Sequence, residues 1–273
     1  MKRLLGLAAV LPLLLGAEGA PVSSSLDRFR FRPERIRVGE VAHYLQSNLD
    51  GSKPARVSIF VAAPDRLEVA RIENGVSDAA WVRAHLDWTL FTADHLDAAV
   101  IHPDGSVEER ATLDVDRKGG VVQATVGGRT GSAAWRHVPF HVYNFDLTSL
   151  NFAWRHLDDP KTPFAIGVLD PTLRKEGDVI LYRGEARIEY VRDEKLHGKT
   201  CHRYTIAGPG IGGVTGSIWA DPKGGWLEKI ANPFPDNPDW KSFRLELEGV
   251  EVMTPEAWKK FIAKSLAEAN AKG

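Results

Sequence analysis

Residues 200–220 read TCHRYTIAGPGIGGVTGSIWA, and Gly208, Gly210 and Gly213 fall at the G-x-G-x-x-G spacing of a dinucleotide-binding turn. That spacing carries chemistry only where a strand hands over to a helix, because the pyrophosphate sits on the helix N-terminus. Here Thr200 to Ile206 reads as a strand, but Val214, Thr215, Ile218 and Trp219 favour a second strand and no helix opens. The glycines therefore predict a loop between two antiparallel strands, one carrying Tyr204 and the other Trp219.

Working outward, Ile180, Tyr182, Gly184, Ala186, Ile188 and Tyr190 alternate with Leu181, Arg183, Glu185, Arg187, Glu189 and Val191. A period of two with one apolar and one mostly charged face marks a half-buried strand, and DEKLHGK turns it back into Thr200 to Ile206. SIWAD and WLEKI, joined by PKGG, form a further hairpin, and KSFRLELEGVEV a last strand. Upstream, strands are expected near Gly39 to Gln46, Ala55 to Val61, Arg66 to Ile72, His95 to Ile101, Ser106 to Val115 and Val121 to Val126, separated by Gly, Pro and Asp turns.

Three helices are expected. Ser77 precedes DAAWVRAHL, Asp146 precedes LTSLNFAWRHL, and Thr254 with Pro255 and Glu256 opens a helix over 254–269 with a Trp258, Phe261, Ile262, Leu266 stripe. The 135–175 region is read as loop and helix. Hairpins without long crossovers give the fold class as mainly β (α+β): about ten strands in a strongly curved antiparallel sheet or open half-barrel, with two or three packing helices.

Residues 1–19 carry Lys2 and Arg3, an apolar run from Leu4 to Leu15 and small residues at Ala17 and Gly19, the pattern of a cleaved signal peptide. Cleavage after Gly19 leaves a single β domain over 20–273 and loses Lys2, Arg3 and Glu18. The charge then moves from −1 to −2. A chain so nearly neutral gives no electrostatic case for nucleic acid, and no later segment is long and apolar enough to span a membrane. The expected localisation is periplasmic or secreted. One cysteine, Cys201, makes no internal disulfide possible, so the core must supply the stability.

Chemistry-bearing patterns are sparse. Gly75-Val76-Ser77-Asp78-Ala79 resembles a relaxed nucleophile elbow, but a helix cap accounts for Ser77 as well. Among nine histidines the tightest pair is His137 and His141, with Pro139 between them; extended backbone would set them about 13 Å apart, too far to share one zinc. Asp158 and Asp159, and Asp236 and Asp239 near Trp240, read as turn formers. No catalytic residue, metal or cofactor is assigned. The apolar sheet face itself remains, with Tyr182, Ile188, Tyr190, Tyr204 and Trp219 as candidate cavity lining for a hydrophobic small molecule or lipid.

The hairpin Ile180 to Ile206 followed by TGSIWADPKGGWLEKI resembles the periplasmic β-rich proteins grouped with the lipoprotein carriers and outer-membrane lipoprotein receptors, over residues 178–250. The resemblance implies a curved sheet enclosing an apolar cavity plugged by helices, with no catalytic residues. The lipid-bearing cysteine of the receptors has no counterpart here. The sequence reading is thus an exported carrier of a hydrophobic ligand. An exported hydrolase acting on a glycan or ester, and an envelope protein that binds a protein partner through a sheet edge, are the alternatives.

Overall fold

The computed structural model describes residues 22–73, 75–145, 147–172, 176–235 and 239–271. The expected signal peptide, the Asp146 cap and Asp236 lie outside the described residues. Strands take 54% of the chain, over twice the ordinary share, so the protein is mainly β.

Two strands form a small parallel pair, β1 (Ser23–Ser24) and β10 (His137–Val138). The others join one sheet. Its first part contains β2 (Glu40–Ser47), β3 (Ala55–Ala63), β4 (Arg66–Glu73), β5 (Ala79–Asp87), β6 (Thr92–Ile101), β7 (Val107–Asp116), β8 (Val121–Val126) and β9 (Arg129–Ala134). The remainder comprises β11 (Phe140–Val142), β12 (Phe164–Pro171), β13 (Ile180–Leu196), β14 (Lys199–Ala207), β15 (Thr215–Ala220), β16 (Leu227–Asn232) and β17 (Phe243–Val252). The order is β11 to β17, then β2 to β9, so the last strand pairs with the first of the sheet in its middle. Every neighbour is antiparallel except β11 and β12, and the sheet is not closed.

Ala79–Asp87 is a strand, not the helix expected behind Ser77. Its Val82, Ala84 and Leu86 alternate with Arg83, His85 and Asp87, and both edges are paired, to β4 and β6. Ladder pairing on two sides outweighs a cap and a few good helix formers. Ser77 Oγ bonds Asp78, and no elbow forms. The 135–175 region also departs from expectation, since it holds β10, β11 and β12, whose near-continuous apolar residues are buried on both faces.

Two α-helices occur among the described residues, on opposite sides of the sheet. In α1 (Thr148–Trp154) all seven residues are buried. Helix α2 (Pro255–Asn270) begins as predicted, with Thr254 Oγ1 accepting from the Ala257 amide, and lays Trp258, Ile262, Leu266 and Ala269 on the outer face. Trp258 stacks on Phe60 at 5.3 Å and donates Nε1 to Glu68 at 2.8 Å.

The 208–213 glycines serve packing. A Cβ at Gly210 would stand 2.7 Å from the Val168 side chain, and Gly212 has φ +74° with the Phe234 ring where its Cβ would be. The loop is a single 3-10 turn, Pro209–Ile211, leading straight into β15.

Candidate functional site

Register decides which candidate side chains meet. Ile188 pairs with Ile206, Tyr190 with Tyr204, and Tyr204 with Ile218, so Ile188, Tyr190 and Tyr204 share the inner face. Trp219 pairs with Arg203 on the opposite face. There its ring lies 5.6 Å from both Arg203 and Lys229, and its Nε1 donates to Glu194 at 3.2 Å. Tyr182 is also separated. A register slip between Val168 and Leu169 leaves Arg183 as an extra residue and turns Tyr182 towards Gly167, away from Ile188.

The three that converge are enclosed by other side chains. Ile188 and Tyr204 are buried, and Trp154 of α1 meets Tyr204 edge-on at 4.8 Å and Phe164 at 5.5 Å. Tyr190 is half-buried beneath Lys161 and donates its hydroxyl to Asp193. The Tyr204 hydroxyl has no hydrogen-bond partner among the described residues. Burial raises both the Tyr204 hydroxyl and that of Tyr182, the latter to about 12. Helix α1 thus occupies the space in which a ligand on these residues would sit.

Where α1 does not reach, the inner face stays open. Val82, Ala98, Ala111 and Val126 are directly paired across β5, β6, β7 and β8, making one row of apolar side chains with two alanines at its centre. Leu96 and Leu113 form the next row. Opposite stand Val142, Phe145 and Pro171, leaving a cleft of 170 Å³ with Arg110 and Thr112 among its lining. Small residues at Ala98 and Ala111 are what make the trough. The helix expected over DAAWVRAHL, 78–86, hid it from the sequence, although Val82, Ala84 and Leu86 already alternate with polar residues.

The remaining candidate chemistry is structural. His137 bonds Ser23, Ser25 and the Ala165 carbonyl, whereas His141 bonds Ser149 on α1. The two rings have separate partners, and no group of three or more potential metal ligands occurs among the described residues. Burial holds His141 neutral, with its pKa pulled to about 3. His156 is pulled to about 4 by burial and then by Arg155, Arg35 and Arg32. Cys201 is buried, which pushes its thiol up and away from thiolate reactivity. Asp159 caps its own turn through Lys161 N and Thr162 Oγ1, and Trp240 is buried under Arg71. Several histidines pair with carboxylates, including His85 with Asp94 and His95 with Asp114, on the face of β5 to β7 that points away from the trough.

A second cleft, of 530 Å³, opens where β2, β16 and β17 meet the 33–37 segment. At its base Arg155 and Glu40, both buried, form an ion pair at 2.7 Å. The guanidinium stacks on Trp226 at 4.2 Å, and the Trp226 indole donates to the same Glu40 oxygen. Burial and the neighbouring Arg32 and Arg155 guanidiniums lower the Arg35 pKa despite Glu34 nearby.

No protein-family model and no curated protein matches the chain. Among solved structures, one similar chain is described as a "putative exported protein with YmcC-like fold" from Bacteroides fragilis. It is 14% identical, aligned over 82% of this chain and 99% of its own, with a TM-score of 0.25. No helix among the described residues is long and apolar enough to cross a membrane.

Proposed function

We propose that the protein is an exported, periplasmic binding protein that holds the apolar chain of a lipid or acylated molecule in the trough over β5 to β8, with no cofactor. The observation that carries this reading is the row Val82, Ala98, Ala111, Val126, which lines an open apolar cleft at the edge of the core. The signal-peptide pattern of residues 1–19 and the resemblance of residues 178–250 to the lipoprotein-carrier group support it. So does the contact of the β9 edge with the segment before β13, where Arg129 of β9 donates to the Gly177 carbonyl, bringing distant parts of the sheet together.

The size of the trough limits what it takes. At about 30 Å³ per methylene-sized group, 170 Å³ admits about six. At about 0.8 kcal/mol each they supply about 5 kcal/mol before the cost of association. That is weak, reversible binding suited to passing a chain on. The test is native mass spectrometry with lipid extraction of the protein purified from the periplasm, alongside displacement of a fluorescent fatty acid. Ala111→Phe, which fills the trough, is expected to abolish displacement while leaving the unfolding midpoint in place. Unchanged binding in that variant, or no co-purifying lipid together with no fatty-acid binding, would overturn the reading.

A further inference from the structure

The 530 Å³ cleft is a second candidate site, independent of the trough. Its wall carries both signs of charge, but its acids other than the exposed Glu34 are already engaged. Glu40 is held by Arg155 and Trp226, Glu228 takes both its bonds from Lys199, Glu251 bonds His43, and Asp221 accepts from the Lys223 amide. The cations are not matched in the same way. Arg35 spends Nη1 on the Arg155 carbonyl and forms no ion pair among the described residues, with Glu34 as the one nearby acid acting on it. The side chains of Arg37 and Lys223 make no hydrogen bond or ion pair with any described residue. Arg155, only 4% exposed, lines the cleft with an Nε that has no hydrogen-bond partner among the described residues. A buried unpaired donor costs about 1 to 3 kcal/mol, more for a charged group, unless a ligand satisfies it.

The other wall is apolar. Val252 pairs with Glu40 and Val250 with Ala42, so both valines point to the inner side of β17. They are 75% and 47% exposed, and Leu247 continues the wall. Exposed valines beside unmatched cations suit a molecule with one charged and one greasy end.

We propose that this cleft binds an anionic amphiphile, its phosphate or carboxylate received by Arg35, Arg37, Lys223 and Arg155 and its apolar portion laid along Leu247, Val250 and Val252. Oxyanions match the planar, multiple donors of guanidinium groups better than any neutral head does.

The test is calorimetric titration of the full chain carrying Ala111→Phe, which removes the trough from the measurement, with dodecyl phosphate, dodecanoate and dodecanol. Either or both anions are expected to bind at least tenfold more tightly than dodecanol, and the preferred head group tells phosphate from carboxylate. Adding Arg37→Gln and Lys223→Gln, both exposed and unpaired, is expected to weaken the preferred anion at least tenfold without moving the unfolding midpoint. No anion binding, equal binding of dodecanol, or undiminished anion binding in the Arg37→Gln, Lys223→Gln chain would overturn the proposal.

Discussion

At β13 to β15 the inward side chains are covered, with Tyr204 against Trp154 and Ile188 fully buried, whereas at β5 to β8 the equivalent row of Val82, Ala98, Ala111 and Val126 looks across a gap. Both regions arise from the same alternation of apolar and polar residues. They differ in what lies above them: a two-turn helix of buried residues in one, and the sparse fringe of Val142, Phe145 and Pro171 in the other. Apolar periodicity therefore locates a face, and the covering element determines whether that face is core or cleft.

The sharpest way to break the comparison is to change the cover. Trp154→Ala is expected to cost about 3 to 5 kcal/mol in urea unfolding, as a large buried aromatic leaves a cavity between Tyr204 and Phe164. Ala111→Phe adds a whole aromatic ring, yet should cost under about 1 kcal/mol because it enters space already open. Equal and large losses in the two variants would mean that the trough is as tightly packed as the covered region.

A smaller effect separates the regions by pH. An unfolded histidine titrates near 6.5, while His141, bonded to Ser149 of α1, and His156, just beyond that helix, are pulled to about 3 and about 4. Between pH 6.5 and about 4 the unfolded chain therefore binds protons that the folded chain does not, and stability falls as pH drops, by up to about 1.4 kcal/mol per pH unit for each histidine. Unfolding at pH 7 and pH 5 should show this loss, and His141→Gln should shrink it. His95 acts in the other direction: Asp114 raises its pKa, so its contribution is full below 6.5 and fades as pH rises through the raised value. An unchanged acid slope in His141→Gln would remove the covered histidine as its source.

The smallest effect concerns Tyr204. Its hydroxyl is buried without a partner among the described residues, so Tyr204→Phe removes a desolvated polar group and should leave stability unchanged or raise it by about 1 kcal/mol. A loss above about 1 kcal/mol would point to a bond from the hydroxyl.

Much of the sheet was legible in the sequence. The strands at 55–63, 66–73 and 121–126, the hairpins from Ile180 onward and the Thr254 cap all rest on local signals, namely period-two alternation, Gly and Asp turns, and a capping hydroxyl before proline. The candidate site was much less so. Tyr182 and Trp219 sit in the right strands, but a one-residue slip beside Arg183 and the pairing of Trp219 with Arg203 place them on other faces than Tyr204. The Arg155 and Glu40 pair, 115 residues apart, left no mark on either local pattern.

The amino-acid order by itself determined an antiparallel, hairpin-rich chain, and it settled that the 208–213 glycines open no helix, because alternation and turn chemistry act over a few residues. Tertiary structure alone decided that β17 pairs with β2, that Ala79–Asp87 is a strand and that α1 fills one part of the inner face while leaving another bare. Those outcomes depend on which distant segments meet, and a side chain's burial is a property of its neighbours in space.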